Sequence, residues 1–381
     1  MPDAAIPSNL RRLRLHQDRS QADLASAAGI TPLAYRNIES GKSIPKASTL
    51  QALADALNVG IQELVKPATD LRRVRFRSAK RLNTRAQVLT HVSEWLTNFR
   101  ELEELLEENS RSTLKEVRVG KRKDGRERAV EAASRLRDFF GLGEKETVRD
   151  ICGLLESKGI KVYPMEVASN AFFGLSVAEE DGGPAVAVNT WDRITVERWI
   201  FTAVHELAHL VLHLNSFDVG QTQEEDEQEI EANICGSHFL MPEPSFKREW
   251  DETYGLPLVD RVLKVKRMFR VSYRSVLYRV ADLQGKQIWD QFNDQYKERF
   301  DKTLLPTDEP SPLRKEAWRS SPEESPADEP EKLSPSDFKE DRLWCLVRRA
   351  YERDLISLPR AAEILGQGLD QMRSYVRTSW V

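Results

Sequence analysis

The segment from Arg198 to His213, RWIFTAVHELAHLVLH, constrains the chain more than any other. Trp199, Ile200, Phe201, Val204, Leu207, Leu210, Val211 and Leu212 make it apolar nearly all round, which predicts a buried helix. His205, Glu206 and His209 interrupt that apolar run and need a chemical reason. Two histidines four residues apart lie one turn apart on one helical face, close enough for both imidazoles to reach one metal ion. Glu206 adjoins the first of them and is placed to work on a water beside the metal rather than to bind the metal itself. A buried carboxylate is costly, and a neighbouring cation and proton acceptors offset that cost.

Taken alone, His-Glu-x-x-His is a weak signal, because amphipathic helices produce it by chance. The stretch about 20 residues on, Glu229 to Pro242, strengthens it. It reads as a second helix with an acidic start and a proline stop, and it offers a carboxylate as third ligand. Three protein ligands with one open position is the catalytic arrangement, whereas a structural site closes all four.

At 381 residues the chain has room for two or three domains. Its net charge of −4 hides an asymmetry, since residues 1–80 carry 13 Lys+Arg against 7 Asp+Glu, a balance suited to a polyanionic partner. Cys152, Cys235 and Cys345 are far apart and form no C-x-x-C, so neither a disulfide framework nor a thiolate zinc site is indicated. With no signal peptide and no apolar run near 18 residues, a reduced, cytoplasmic protein with no membrane partner is expected.

Residues 8–67 show several short helical patterns. Ser20 is an N-cap candidate for a helix over Gln21 to Ala28, Gly29 ends it, and Thr31 caps the next helix through Glu39 to Gly41. Two helices joined by a glycine-containing turn is a helix-turn-helix pattern, and helices near Ser48 and Ile61 complete a five-helix bundle. Ser20-Gln21-x-x-Leu24-Ala25, Gly29-Ile30-Thr31, Ile38-Glu39-x-Gly41-Lys42, Pro45 and Thr49-Leu50-x-x-Leu53-Ala54-x-Ala56-Leu57 resemble the XRE (Cro/C1-type) helix-turn-helix domain. The resemblance implies a recognition helix over Thr31 to Glu39 in the major groove of double-stranded operator DNA. Gln21, Thr31, Pro32, Leu33, Tyr35 and Arg36 would lie nearest the DNA, and the chain would bind it as a homodimer.

Residues 68–142 read as a helical connector. Arg72-Arg73-Val74-Arg75-Phe76-Arg77 is an alternating basic run suited either to further phosphate contacts or to an exposed strand or loop, and an apolar stripe marks a long helix from Asn83 to Asn109. Lys121 to Arg126 reads as an exposed loop. In residues 143–285 an amphipathic helix from Thr147 to Lys158 precedes three strands, Ile160–Pro164, Phe172–Val177 and Pro184–Asn189, and then the His205 helix. A substrate strand can add to a sheet edge beside such a metal site.

Val148 to Val162, Gly174-Leu175-Ser176, Val186-Ala187-Val188-Asn189, Phe201-Thr202-x-x-His205-Glu206-Leu207-Ala208-His209 and Glu229-x-x-Ala232-Asn233 through Leu240-Met241-Pro242 closely resemble the ImmA/IrrE metallopeptidase family, as does Val271 to Val280. The resemblance implies a zinc endopeptidase with His205, His209 and Glu229 as ligands and Glu206 as general base. Glu231 lies about 200° round the helix from Glu229 and cannot share the metal. Ala208 and Cys235-Gly236 depart from the family pattern, and Cys235 reads as a core thiol. His213 and His238 read as packing or surface residues. Tyr278, Arg279 and His238 are candidates for stabilising an oxyanion.

From Leu305 to Ser336 the chain is rich in Pro, Ser, Glu and Asp and is expected to be disordered, so residues 286–336 read as a helix end followed by a linker. Residues 337–381 read as a helical module that either binds a partner or packs back. The expected fold is therefore multidomain and mainly α: a five-helix DNA-binding bundle, an α+β zincin-like metallopeptidase domain with a small sheet, and a C-terminal helical module. The expected function is a DNA-binding transcriptional regulator carrying a zinc endopeptidase that cleaves a repressor or antitoxin-like protein. The alternative is a transcription factor whose metal domain only senses or binds a partner.

Overall fold

The computed structural model describes residues 5–17, 19–65, 71–78, 85–108, 112–120, 124–219, 225–305, 308–310 and 333–380. Most of the expected Pro/Ser/Glu-rich linker, residues 306–307 and 311–332, lies outside these residues, as does half of the Lys121–Arg126 loop. Helices dominate, with one four-stranded mixed sheet. No helix among the described residues is long and apolar enough to cross a membrane.

The N-terminal bundle consists of α1 (Ala5–His16), α2 (Gln21–Ala27), α3 (Pro32–Glu39), α4 (Ala47–Leu57) and α5 (Ile61–Val65). Ser20 starts α2 with a capping box: its hydroxyl accepts from the Asp23 N–H while Asp23 reaches back to the Ser20 N–H. Thr31 caps α3 by accepting from the Ala34 N–H, and Pro32 fills the first helical turn at no hydrogen-bonding cost. Gly29 and Gly41 take positive φ (67° and 72°) where the two helices end, a conformation a Cβ disfavours. Leu10, Leu24, Ala25, Leu53 and Leu57 form the core. Arg14 grips Glu39 with two bonds of 2.8 Å and so ties α1 to α3.

The rest of the chain is built on β1 (Val74–Ser78), α6 (Arg85–Leu105), α7 (Gly125–Phe140), α8 (Ile151–Glu156), β2 (Lys161–Met165), β3 (Phe172–Val177), β4 (Ala185–Asn189), α9 (Val196–Leu212), α10 (Asp226–Leu240), α11 (Glu243–Glu252), α12 (Leu258–Phe269), α13 (Tyr273–Gln284), α14 (Ile288–Phe300), α15 (Arg342–Glu352), α16 (Leu358–Ile364) and α17 (Leu369–Ser379). The sheet order is β1-β3-β4-β2, with β2 and β4 parallel and the other neighbours antiparallel. Alternation along the strands feeds two cores. Val162, Val186 and Val188 face α9, α10 and the helices behind them, while Leu175, Val177, Ala185 and Ala187 face α6 and the last three helices. The sheet is therefore the middle of three layers.

Several sequence expectations change here. Residues 68–142 are not a separate connector: β1 completes the sheet, α6 covers its outer face, and Leu114, Val117 and Val119 enter the first core with α7. Arg75 of the alternating run is not on an exposed strand either, being only 6% exposed, although Arg72 is exposed. The helix end expected at 286 is instead the full helix α14, whose Phe292 and Tyr296 bury against α12 and α13. The C-terminal module packs back. Arg342 reaches Glu103 at 3.0 Å and Arg360 reaches Glu101 at 2.7 Å, and Leu346, Val347 and Ala350 join the second core.

Candidate metal centre

Helix α9 is buried along nearly its whole length, and His205, Glu206 and His209 are fully enclosed. Helix α10 crosses it and delivers Glu229. The two Nε2 atoms stand 2.9 Å apart, with the Glu229 carboxylate oxygens 3.0 Å from His205 Nε2 and 3.1 Å from His209 Nε2. Among the described residues, these three form the one group of His, Cys, Asp and Glu side chains whose ligand atoms converge closely enough to hold a metal ion.

The hydrogen bonds behind the ligands say what the convergent atoms carry. His205 Nδ1 lies 3.0 Å from Asn233 Oδ1, an acceptor only, so Nδ1 bears the proton when the amide is oriented this way. Behind His209, the chain runs further: His209 Nδ1 to His213 Nδ1 at 2.8 Å, His213 Nε2 to Glu231 Oε2 at 2.8 Å, and Glu231 to Arg128 at 2.8 Å. The Glu231 carboxylate takes the His213 Nε2–H, which leaves His213 Nδ1 as a lone pair to accept from His209 Nδ1–H. Both ligand histidines thus present bare Nε2 lone pairs to a carboxylate. Three lone-pair groups meeting in a buried site repel one another unless a cation lies between them, so the donor set fits a divalent metal. Burial pushes His209 and His213 below the ordinary imidazole range, towards the neutral form a metal requires.

Glu206, next in sequence to the ligand His205, is held from the sheet side, where Ser176 Oγ donates to its Oε2 at 2.9 Å. Strand β3 can come that close because residue 174 is glycine. A Cβ there would stand 2.7 Å from Thr202 Cγ2 and 2.8 Å from the Ala187 carbonyl oxygen. On the other side, Arg75 of β1 donates to Glu229 Oε1 at 2.9 Å and to Gln228 Oε1 at 2.6 Å.

The residues expected at the site, His205, Glu206, His209 and Glu229, come together. Ser176, Arg75, Asn233, His213, Glu231 and Arg128 were missed as its supports. For His213 the signal was present, since residues 205, 209 and 213 share one helical face. Cys235 is a core thiol, as expected, with burial pushing it up to about 12. His238 and Arg279 are buried and hydrogen-bonded to each other, and burial, then Arg279, lowers His238 to about 4. They line a cavity of about 800 Å³ with Asn233, Phe201, Arg198 and the exposed Tyr278.

In the N-terminal bundle, Thr31, Pro32, Leu33 and Arg36 are exposed at the start of α3 and along its outer face. Gln21 is half-buried and donates to Glu39 at 2.9 Å. Tyr35 departs from the expectation: it is fully buried in the core and offers no surface to DNA.

Residues 10–64 match the helix-turn-helix family model, and residues 155–281 match that of the IrrE N-terminal-like domain. The chain carries both domains. The helix-turn-helix domain is of the XRE, DNA-binding type, and the IrrE N-terminal-like domain is an ImmA/IrrE-type metallopeptidase domain. No curated protein matches the chain. The matched stretch of the metallopeptidase domain begins within α8 and ends within α13, so it holds β2, β3, β4, α9 and α10 but not β1.

Proposed function

We propose that this chain is a DNA-binding transcriptional regulator whose metallopeptidase domain is a zinc endopeptidase acting on a protein, with a repressor or antitoxin-like protein as the substrate class. The observation that carries the peptidase reading is Glu206. A domain that only holds a metal has no use for a second, fully buried carboxylate fixed by Ser176 beside the ligand set.

His205, His209 and Glu229 would hold the ion, with Asn233 and the His213–Glu231–Arg128 chain fixing the orientation of the two imidazoles. Zinc bound there supplies Lewis acidity to a peptide carbonyl and to the attacking water. Glu206 takes the proton of that water and returns it to the leaving amine, while Ser176 holds one carboxylate oxygen in place. At the other end of the chain, Arg36 and Leu33 on α3 are the side chains free to read base edges. The guanidinium suits guanine and the leucine a thymine methyl, with the chain bound as a homodimer to a two-fold operator.

The test compares Glu206→Gln with Glu229→Gln. Glu206→Gln should keep zinc while cleavage of a partner protein falls by roughly 10²–10⁴-fold. Glu229→Gln should lose zinc and cleavage together. If Glu206→Gln retains full regulatory output in cells, the peptidase reading fails and the non-catalytic sensor replaces it.

A further inference from the structure

Strand β3 is the strand nearest Glu206, through Ser176, and its outer edge is where an extended peptide would add beside the ligand set. That edge is already taken. β1 runs antiparallel along it, pairing Val74 with Val177, Arg75 with Ser176, Phe76 with Leu175 and Arg77 with Gly174. The Ala178 N–H donates to the Arg73 carbonyl at 3.0 Å, which makes Arg73/Ala178 a hydrogen-bonded pair and, two residues on, Arg75/Ser176 another. The backbone groups of β3 closest to the general base are therefore spent on Arg75. Its side chain points the same way as Ser176 and ends on Gln228 and the ligand carboxylate of Glu229. The strand is also anchored upstream, where the N–H groups of Arg72 and Arg73 both donate to Asp181 and the Arg72 carbonyl accepts from the Val219 N–H.

We propose that β1 occupies the place of the substrate strand, so that the segment following the helix-turn-helix domain is a built-in competitor which must leave the β3 edge before a protein substrate can be cleaved. This rests on the peptidase reading above, and it adds a substrate geometry: an extended peptide running antiparallel to β3. Two features suit β1 to that role. It lies outside the stretch that matches the metallopeptidase domain, between that stretch and the helix-turn-helix domain. Its contact with the ligand set is a single charged side chain, Arg75 on Glu229.

A reversible lock tests the idea. Val74 and Val177 face each other in a non-hydrogen-bonded pair and point into the core on the side of the sheet away from Glu206, so V74C/V177C can close a disulfide without touching the site. The full-length, zinc-loaded double variant is assayed oxidised and reduced, alone and combined with Asp181→Ala, which frees the anchor. One readout is cleavage of a pooled library of random-sequence peptides, followed by mass spectrometry. The other is binding of a fluorescent peptide with the sequence of residues 71–79, which needs the open edge but no catalysis. Cleavage in the reduced forms, greatest with Asp181→Ala, and its loss on oxidation at unchanged zinc content supports the proposal. Equal cleavage in oxidised and reduced forms overturns it and leaves the peptidase reading intact. If no form cleaves, the peptidase reading fails, and the labelled peptide decides the strand. At least tenfold tighter binding to the reduced Asp181→Ala form than to the oxidised one supports displacement, and binding to neither overturns it.

Discussion

Replacing His213 by phenylalanine keeps a ring of similar size at the end of α9 but removes the acceptor that holds His209. In the native arrangement His209 Nδ1 lies 2.8 Å from His213 Nδ1, and both rings are buried. Without that acceptor the His209 N–H is stranded, a loss of about 1–3 kcal/mol for a buried donor. His209 can then move its proton to Nε2, the atom that must be bare to bind metal. Supporting groups of this kind typically change metal affinity by about 10–100-fold, which corresponds to about 1.4–2.8 kcal/mol. His213→Phe should therefore weaken zinc by that factor, measured by competition with a chromogenic chelator. His213→Asn, whose amide oxygen can accept, should recover part of it. Urea unfolding of the metal-free proteins separates a folding defect from a ligand defect. If metal-free His213→Phe is folded and binds zinc within about threefold of the wild type, the orienting chain plays no part in metal binding and the reasoning is refuted.

Other consequences follow from the same geometry. Gly174→Val should push β3 away from α9 and strain its pairing with β4, because the added carbon meets Thr202 Cγ2 and the Ala187 carbonyl, and should lower stability by about 1–3 kcal/mol in thermal unfolding. Burial raises the Glu156 carboxyl to about 7, where it accepts the Asp341 and Arg342 N–H groups at the start of α15. Because its folded pKa lies above the unfolded value, the contribution is full below about pH 4.5 and is lost as pH rises towards 7, so Glu156→Gln should flatten this part of the urea-derived stability profile. Arg36→Ala should weaken binding to the chain's own operator by about 1–3 kcal/mol, whereas Tyr35→Phe, altering a buried ring, should leave DNA affinity unchanged in a salt-dependent binding titration.

The parts of this molecule that could be read from sequence are those fixed by local chemistry. Ser20 and Thr31 announced helix starts because a hydroxyl can cap only its own turn, and His205, Glu206 and His209 announced a site because helical spacing alone sets their common face. Glu229 emerged from family resemblance, since nothing local distinguishes it from Glu231; what separates them is which histidine each meets across the helix crossing. Arg75 was read as a surface charge because an alternating basic run ordinarily is one. Its burial depends on a carboxylate 154 residues away, which no local pattern contains. Tyr35 was placed towards DNA by its position on the recognition helix, but an aromatic ring three residues before Ile38 lies on that helix's inner face.

The second core draws Val74, the α6 stripe, the outward faces of β3 and β4, and Leu343 to Met372 into one cluster. These segments are separated by long stretches of chain: Val74 and its partner Val177 stand about a hundred residues apart, and α15 comes more than 150 residues after β4. Contacts of such high contact order form late, because the loop-closure entropy must be met before the contacts can stabilise anything. The helix-turn-helix bundle, whose contacts span fewer than 60 residues, can therefore complete its fold while the sheet beyond it still lacks its outer cover. A ribosome-bound chain would then hold a finished DNA-binding domain well before it held a finished metal centre. The outer cover of the sheet, on the face away from the metal centre, would be complete only when α15 to α17 had been made.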